Sequence, residues 1–173
     1  MSIMSKPAGW IAAGQAPADY EFSTDSSVRH GGQRSALVRA RSARPAGFGT
    51  LMQIIRADDF RGRRVRWSGF IKSEQVEGWC GLWLRADDAA ERVLAFDSMQ
   101  SRPVTGTSGW SSGEVVLDVP SETVTIAFGL VLDGPGAVWL DDVALEVVGA
   151  EVPTTKISAA TLPSQPQNLR FEE

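Results

Sequence analysis

The residue types that could do chemistry are concentrated between Trp79 and Asp87. Successive side chains of a β-strand point to opposite faces, so this segment divides into two sets. The apolar set is Cys80, Leu82, Leu84 and Ala86, and the mixed set is Trp79, Gly81, Trp83, Arg85 and Asp87. Two indole rings and a guanidinium on one face, beside a small residue, offer what a sugar or another polar ring needs for binding.

Three further residues are predicted to belong to this groove. Because Leu94 and Phe96 suit the core, strand alternation places Asp97 on the outer face with the tryptophans. Gln53 and Arg66 are possible neighbours of the groove on other strands. The alternative is that a loop or the C-terminal arm covers this face.

A second candidate site involves carboxylates. Asp141 shares strand parity with the apolar residues Trp139 and Val143. A carboxylate on an apolar face needs a cation or several hydrogen-bond donors. Ca²⁺ takes oxygen ligands, and the loop at residues 25–33 could add the Asp25 carboxylate and backbone carbonyls. The sequence therefore predicts a structural calcium site, with an Asp that caps a turn or pairs with an arginine as the alternative.

The chain has few candidates for covalent or acid–base catalysis. A nucleophilic triad needs a base, and the single histidine, His30, lies in a polar stretch typical of a loop. The single cysteine, Cys80, shares the apolar parity and is predicted to be a buried small hydrophobe. An enzyme using Asp97 with Arg85 would lack a base, a nucleophile and a cofactor motif, so no enzymatic activity is predicted.

The elements that must position these residues are short strands. The chain has 173 residues, 43% of them hydrophobic and 22% charged, which suits one globular domain. Period-two alternation dominates, with 17 glycines and 9 prolines favouring many turns. Strands are predicted near residues 9–13, 19–24, 34–40, 47–56, 64–72, 79–86, 93–96, 113–119, 123–132 and 137–148. So many strands in one domain must stack or close, so we predict an all-β jelly-roll sandwich.

Charge and hydropathy exclude several classes of partner. The formal net charge is -4, so direct binding of nucleic acid is not predicted. No segment approaches the ~20 apolar residues of a membrane span, and residues 1–10 lack the apolar core of a secretory signal. One cysteine allows no intrachain disulfide. A cytoplasmic location is therefore expected.

A change of composition divides the chain. Residues 1–149 are predicted to form the ligand-binding sandwich, and residues 150–173, rich in Pro, Thr, Ser and Ala, an extended arm. Residues 168–172 alternate as a short strand would. We expect Leu169 and Phe171 to be buried, with the arm covering a sheet edge of its own sandwich or of a homodimer partner.

Several blocks of the sequence, taken in order, resemble a bacterial module of the galactose-binding-like β-sandwich type. They are KPAGWIAAG (6–14), FRGRRVR (60–66), GWCGLWLR (78–85), FDSM (96–99) with GTSGW (106–110), and VWLDDV (138–143). Modules of this kind occur alone, attached to AraC-type transcriptional regulators and in front of peptidase-like domains. The resemblance implies a carbohydrate-binding-module-like jelly roll, which often holds a structural Ca²⁺ between an early loop and the Asp of the last strand, here Asp25 and Asp141.

These observations favour a non-catalytic module that binds a carbohydrate or a similar small polar ligand on its tryptophan-bearing face. The alternative is a cytosolic sensor or effector domain of the transcriptional-regulator type, or a protein-interaction module. Fold analogy alone does not choose between them.

Overall fold

A computed structural model describes residues 5–156 and 164–171. The part of the chain that it describes is nearly all β, with nine strands, two short 3-10 turns and no α-helix. The strands are β1 (Ile11–Gly14), β2 (Tyr20–Asp25), β3 (Ser35–Ala40), β4 (Phe48–Arg56), β5 (Arg64–Asp87), β6 (Val93–Ser98), β7 (Val104–Asp118), β8 (Thr125–Asp133) and β9 (Ala137–Val148). Neither of the two short 3-10 turns in this range is long and apolar enough to span a membrane.

The strands form two layers that share β5. Residues 64–74 of β5 pair with β7 and β9, β9 also pairs with β3, and β3 pairs with β2. We call this set of strands the β2 layer. Residues 79–87 of β5 pair with β6 and β8, β8 also pairs with β4, and β4 pairs with β1. We call this second set of strands the β1 layer. All of these pairs are antiparallel, and the predicted all-β sandwich of the jelly-roll type is confirmed.

The main core lies between the two layers. Trp67 of the β2 layer and Leu82 and Leu84 of the β1 layer point into it, and none is more than 1% exposed. The Trp67 Nε1 donates a hydrogen bond to the Gly129 carbonyl oxygen at 3.1 Å. An indole can be buried in this way because its polar N–H has a partner.

The length of β5 differs most from the predicted elements. The predicted strands near 64–72 and 79–86 are two parts of one 24-residue strand. The acidic residues of the segment between them favoured a turn, but pairing with β7 continues there with several shifts of register. Gln75 has a positive φ of 52°. Such irregularities bend and twist a strand, which lets β5 pass from one layer to the other without a break.

The start of the C-terminal arm packs along the β2 layer. Arg64 Nη1 donates hydrogen bonds to the carbonyl oxygens of Ala150 and Val152, at 3.2 and 2.7 Å. The Thr155 hydroxyl accepts a hydrogen bond from the Val116 amide at 2.9 Å, and the Thr155 amide donates to the Val116 carbonyl at 3.1 Å. These contacts hold the first residues of the arm against β5 and β7.

The far part of the arm differs from the prediction. Leu169 is 73% exposed and Phe171 is 89% exposed, so the prediction that they are buried is wrong. Asn168 and Phe171 have positive φ values of 48° and 58°, which interrupt the extended backbone of a strand and produce a turn. Glu172, the end of the predicted strand, lies outside the described residues. The domain boundary and the homodimer through the arm stay predictions.

Candidate functional site

The register of the β1 layer determines which side chains share its outer face. Residues directly opposite each other in an antiparallel pair point to the same face. The outer rows are Phe48, Asp133 and Trp79; then Thr50, Val131 and Gly81; then Met52, Gly129, Trp83 and Ser98; then Ile54, Ala127, Arg85 and Phe96. Trp79, Trp83 and Arg85 therefore share one outward face. Side chains of these rows line a depression in this face.

This depression is a cavity of about 570 Å³. Small-molecule sites in proteins usually measure ~300–1,000 Å³. The lining combines aromatic and aliphatic side chains with several polar ones. It consists of Ala13, Gly14, Gln15, Phe48, Thr50, Met52, Trp79, Trp83, Arg85, Phe96, Ser98, Gln100, Val131 and Asp133. No described residue of the C-terminal arm is among them.

Trp83 forms part of the floor of the cavity. Its side chain is held in place, since Nε1 donates a hydrogen bond to the Thr50 hydroxyl at 2.8 Å and that hydroxyl donates to the Leu130 carbonyl at 2.8 Å. Trp83 is 8% exposed and packs with Met52 and Val131 in a cluster separate from the main core. The cavity therefore rests on a fixed aromatic ring whose polar N–H is already satisfied.

Arg85 lies one row further along the same face. Its Nε is 3.0 and 3.1 Å from the two carboxylate oxygens of Asp87, which is 8% exposed. Its guanidinium carbon lies 5.8 Å from the centroid of the Trp83 ring. An ion pair and a cation–π contact thus hold the guanidinium beside the floor of the cavity.

Asp97 does not lie on this face. It is directly opposite Leu84, whose side chain is in the core. Its Oδ2 accepts hydrogen bonds from Arg102 Nη2 at 3.2 Å and from the Thr155 hydroxyl at 2.6 Å. The placement of Asp97 in the groove is therefore wrong, because β6 alternates in the opposite sense. Phe96, predicted to be in the core, is 41% exposed and lines the cavity instead.

Gln53 and Arg66 also lie elsewhere. Gln53 is directly opposite Phe128, a core residue, so it is on the inner side of β4. Arg66 is on the outer face of the β2 layer, with its guanidinium 2.6 Å from Glu146 and 3.9 Å from Glu114. Because β5 changes layer, the outer faces of its two parts lie on opposite sides of the sandwich. Neither residue lines the cavity.

Sequence reasoning missed the residues that β1, β4 and β8 contribute. Phe48 and Met52 share a parity, but β4 carries apolar residues at both parities, so its alternation did not identify an outer face. Gln15, just after β1, and Asp133, at the end of β8, belong to no pattern that indicates a site. The pairing register brings these residues together, and it cannot be obtained from any one strand.

The loop between β2 and β3 is fastened by two carboxylates, and Asp25 is the first. Its Oδ1 accepts hydrogen bonds from the amides of Ser27 and Val28, at 2.9 and 3.2 Å, and its Oδ2 from Trp139 Nε1 at 3.0 Å. Burial raises the pKa of Asp25, but these hydrogen bonds outweigh that effect and leave the pKa below its usual value. Asp25 is therefore a charged side chain with protein donors on both oxygens.

Asp141 supplies the second carboxylate that holds the loop between β2 and β3. Its Oδ2 accepts hydrogen bonds from the amides of His30 and Gly31, at 2.9 and 3.1 Å, and its Oδ1 accepts one from the Asp142 amide at 2.8 Å. Both predicted calcium residues thus contact the predicted loop, but N–H groups, which cannot bind a cation, occupy their oxygens. Residues 5–156 and 164–171 contain no cluster of three or more His, Cys, Asp or Glu that could hold a metal ion. This arrangement does not fit the calcium ion that the sequence predicted, and treatment with a chelator tests the difference.

The single histidine pairs with a carboxylate, and the single cysteine is buried. The His30 ring stacks on Phe70 of the β2 layer, with 3.8 Å between centroids, and its Nδ1 lies 2.6 Å from an Asp142 carboxylate oxygen. Cys80 is fully buried, and burial raises the pKa of its thiol to about 12. A thiol with such a pKa is protonated at neutral pH and is a poor nucleophile.

No protein-family model matches the chain. Over 170 residues the chain is 41% identical to a protein of Bacillus subtilis (strain 168) that is named an uncharacterized HTH-type transcriptional regulator, YbfP. The match covers 97% of this chain and 58% of that protein. The chain therefore corresponds to a part of this relative.

Solved structures with the same fold include binding modules and an enzyme. The C-terminal family 22 carbohydrate-binding module of Clostridium thermocellum Xyn10B has a TM-score of 0.60 and 16% identity, covering 82% of this chain and 88% of that chain. The Stig cyclase Fisc from Fischerella sp. TAU, solved in complex with an indole compound, has a TM-score of 0.61 and 16% identity, covering 86% and 89%. Likeness at this identity shows the fold alone. The chain has the β-sandwich of carbohydrate-binding modules, as its sequence resemblance implied.

Proposed function

We propose that this protein is a non-catalytic binding module that holds a carbohydrate or a similar small polar ligand in the cavity of the β1 layer. The observation that carries the proposal is that Trp79, Trp83 and Arg85 line one cavity on a sheet face. The structural likeness to carbohydrate-binding modules supports it.

The cavity offers both kinds of contact that a sugar makes. The C–H faces of a sugar ring pack on aromatic rings, which Trp79, Trp83 and Phe96 supply. Its hydroxyl groups need donors and acceptors at defined positions, which the side chains of Gln15 and Gln100 can provide at the edge of the cavity. A flat apolar floor with separate polar groups suits a polyol ring better than a purely apolar ligand.

The absence of catalysis is part of the proposal. The fold alone does not decide it, since a cyclase and several binding modules share this sandwich. The lining of the cavity does favour binding, because it contains Arg85 and Asp133 but no histidine, cysteine or lysine. Such a lining can orient a ligand, but it offers no activated nucleophile.

A second candidate function is that of a ligand-sensing domain of a cytosolic transcriptional regulator. The observation that favours it is the 41% identity to a protein named as an HTH-type regulator, of which the chain corresponds to a part. In this case the cavity would bind a small metabolite rather than a polysaccharide. The size of the best ligand distinguishes the two functions, since a monosaccharide derivative supports a sensor and a long oligosaccharide supports a polysaccharide-binding module.

The test is calorimetric titration of the full chain with a panel of mono- and oligosaccharides, paired with thermal melting. Trp79→Ala should weaken the best saccharide about tenfold or more, because a lost aromatic contact of this size costs about 1.4 kcal/mol or more. Trp110→Ala is the matched control, since Trp110 packs beside His30 on the other layer. If no saccharide binds, or if both variants weaken binding equally, the proposal fails.

A further inference from the structure

Arg85 has hydrogen-bonding capacity that the protein itself does not use. Within residues 5–156 and 164–171, its hydrogen bonds run through Nε alone, both to the carboxylate of Asp87. A guanidinium has five N–H donors, so the four on its two terminal nitrogens remain available. The Arg85 side chain is 34% exposed and lines the cavity, so a ligand in the cavity can reach these donors.

The position of the guanidinium is fixed before any ligand arrives. Asp87 binds Nε through both of its oxygens, and the Trp83 ring lies 5.8 Å from the guanidinium carbon. Holding Nε restricts the last rotations of a long side chain, so a ligand need not supply the free energy to order it. A fixed guanidinium with two free terminal nitrogens is the arrangement that binds a planar carboxylate through two parallel hydrogen bonds.

We therefore propose, building on the proposed function, that the ligand is an acidic saccharide and that Arg85 recognises its carboxylate. The rest of the cavity suits the remainder of such a molecule. Beside Arg85, Phe96 lies on the neighbouring strand and also lines the cavity, so an aromatic ring flanks the acid-binding position.

The charges of the cavity also favour one orientation and one kind of acid. Asp133 lies at the level of Trp79, six residues along β5 from Arg85 and thus about 20 Å away at ~3.3 Å per residue. Because the backbone positions are this far apart, the ~8 Å screening length of physiological salt weakens the repulsion between Asp133 and an acid bound at Arg85. Asp87 already offsets the charge of Arg85. A carboxylate with one charge is therefore favoured over a phosphate with nearly two.

The experiment compares glucuronic and galacturonic acids, and their di- and trisaccharides, with the neutral parent sugars and with glucose 6-phosphate, by titration calorimetry. The acids should bind the full chain about tenfold or more tightly than the neutral parents, with an advantage that shrinks as salt is raised. Arg85→Gln should remove this advantage, because it should weaken binding of the acids by a larger factor than binding of the neutral sugars. Arg85→Lys keeps the positive charge but lacks the two terminal nitrogens of a guanidinium, so it should restore part of the affinity advantage of the acids.

Arg66→Gln is the control, since Arg66 lies on the opposite layer and pairs with Glu146. It should leave both affinities unchanged. Neutral sugars that bind as tightly as the acids would overturn this inference but leave the proposed function standing, provided that Trp79→Ala still weakens them. The inference also fails if Arg85→Gln weakens acids and neutral sugars by the same factor, or if glucose 6-phosphate binds more tightly than glucuronic acid. Failure of every saccharide to bind would overturn both proposals.

Discussion

Asp25→Asn should destabilise the protein strongly, because Asp25 uses its two oxygens on opposite sides. Oδ1 accepts hydrogen bonds from the amides of Ser27 and Val28, and Oδ2 accepts one from the indole N–H of Trp139. An asparagine has one acceptor oxygen, so either orientation turns an NH2 group toward N–H donors. If the oxygen stays on the loop amides, the Trp139 N–H, on a side chain only 2% exposed, loses its acceptor.

The magnitude follows from these contacts. A buried donor left without a partner costs about 1–3 kcal/mol, and the remaining bonds lose the strengthening that a charged acceptor provides. A total loss of about 2–4 kcal/mol is expected, which for a chain of this size lowers the Tm by roughly 4–16 °C. Thermal melting followed by circular dichroism measures it directly.

The matched control is Asp58→Asn, which removes the same charge from a carboxylate that is 44% exposed and pairs with Arg56 and Arg61. Exposed ion pairs contribute about 0–1 kcal/mol, so this variant should melt near the wild type. Equal melting temperatures for the two variants would show that the bonds of Asp25 do not fasten the loop.

Three further predictions concern calcium, pH and the arm. EDTA should leave the Tm of the chain unchanged, because N–H donors occupy the carboxylates of Asp25 and Asp141. A drop in Tm on adding EDTA that Ca²⁺ then reverses would instead support the predicted calcium site. The free energy of unfolding should fall as the pH drops below about 4, because the pKa values of Asp25 and Asp118 are lower in the folded state than in the unfolded state. The stabilisation from these two groups is complete above their unfolded pKa and is lost as the pH falls through their folded pKa. Urea unfolding at stepped pH tests this, and acid-side stability that rises instead would refute it. Deleting residues 150–173 should lower the Tm because it removes the contacts of Thr155 with β7; melting equal to that of the full chain would show that the arm is only a linker.

The sequence alone was sufficient to predict which side chains of residues 79–87 in β5 face outward, but it did not predict this correctly for β6. In residues 79–87 one parity is wholly apolar, so burial could fall only on that side. In β6 the larger apolar residues, Leu94 and Phe96, indicated the wrong inner face. The structure packs Ala95 against the core and leaves Leu94 37% exposed. Among the residues that the structure describes, β6 pairs only with β5, and at such an edge the pairing register rather than side-chain size determines which residues turn inward.

Parity arguments also fail for residues whose positions depend on distant parts of the chain. Arg66 and Arg85 lie on the same strand and both point outward, yet the bend of β5 between them places them on opposite faces of the molecule. The sequence did predict that Asp25 and Asp141 meet the loop after β2. It could not distinguish a cation from N–H donors, because both satisfy a carboxylate on an apolar face.

The passage of β5 through both layers has a consequence for how the protein unfolds. Each layer contains a part of the same strand, so neither layer can open without disturbing the pairing and packing of the other. Arg64 at one end of β5 pairs with Val148, and Asp87 at the other end pairs with Thr125, so distant segments of the chain must meet on this one strand. Contacts of such long sequence separation slow folding, because the entropy of closing the intervening loops is lost before the contacts form. Native-state hydrogen exchange should therefore show the central amides of β5 opening together, in a single global event.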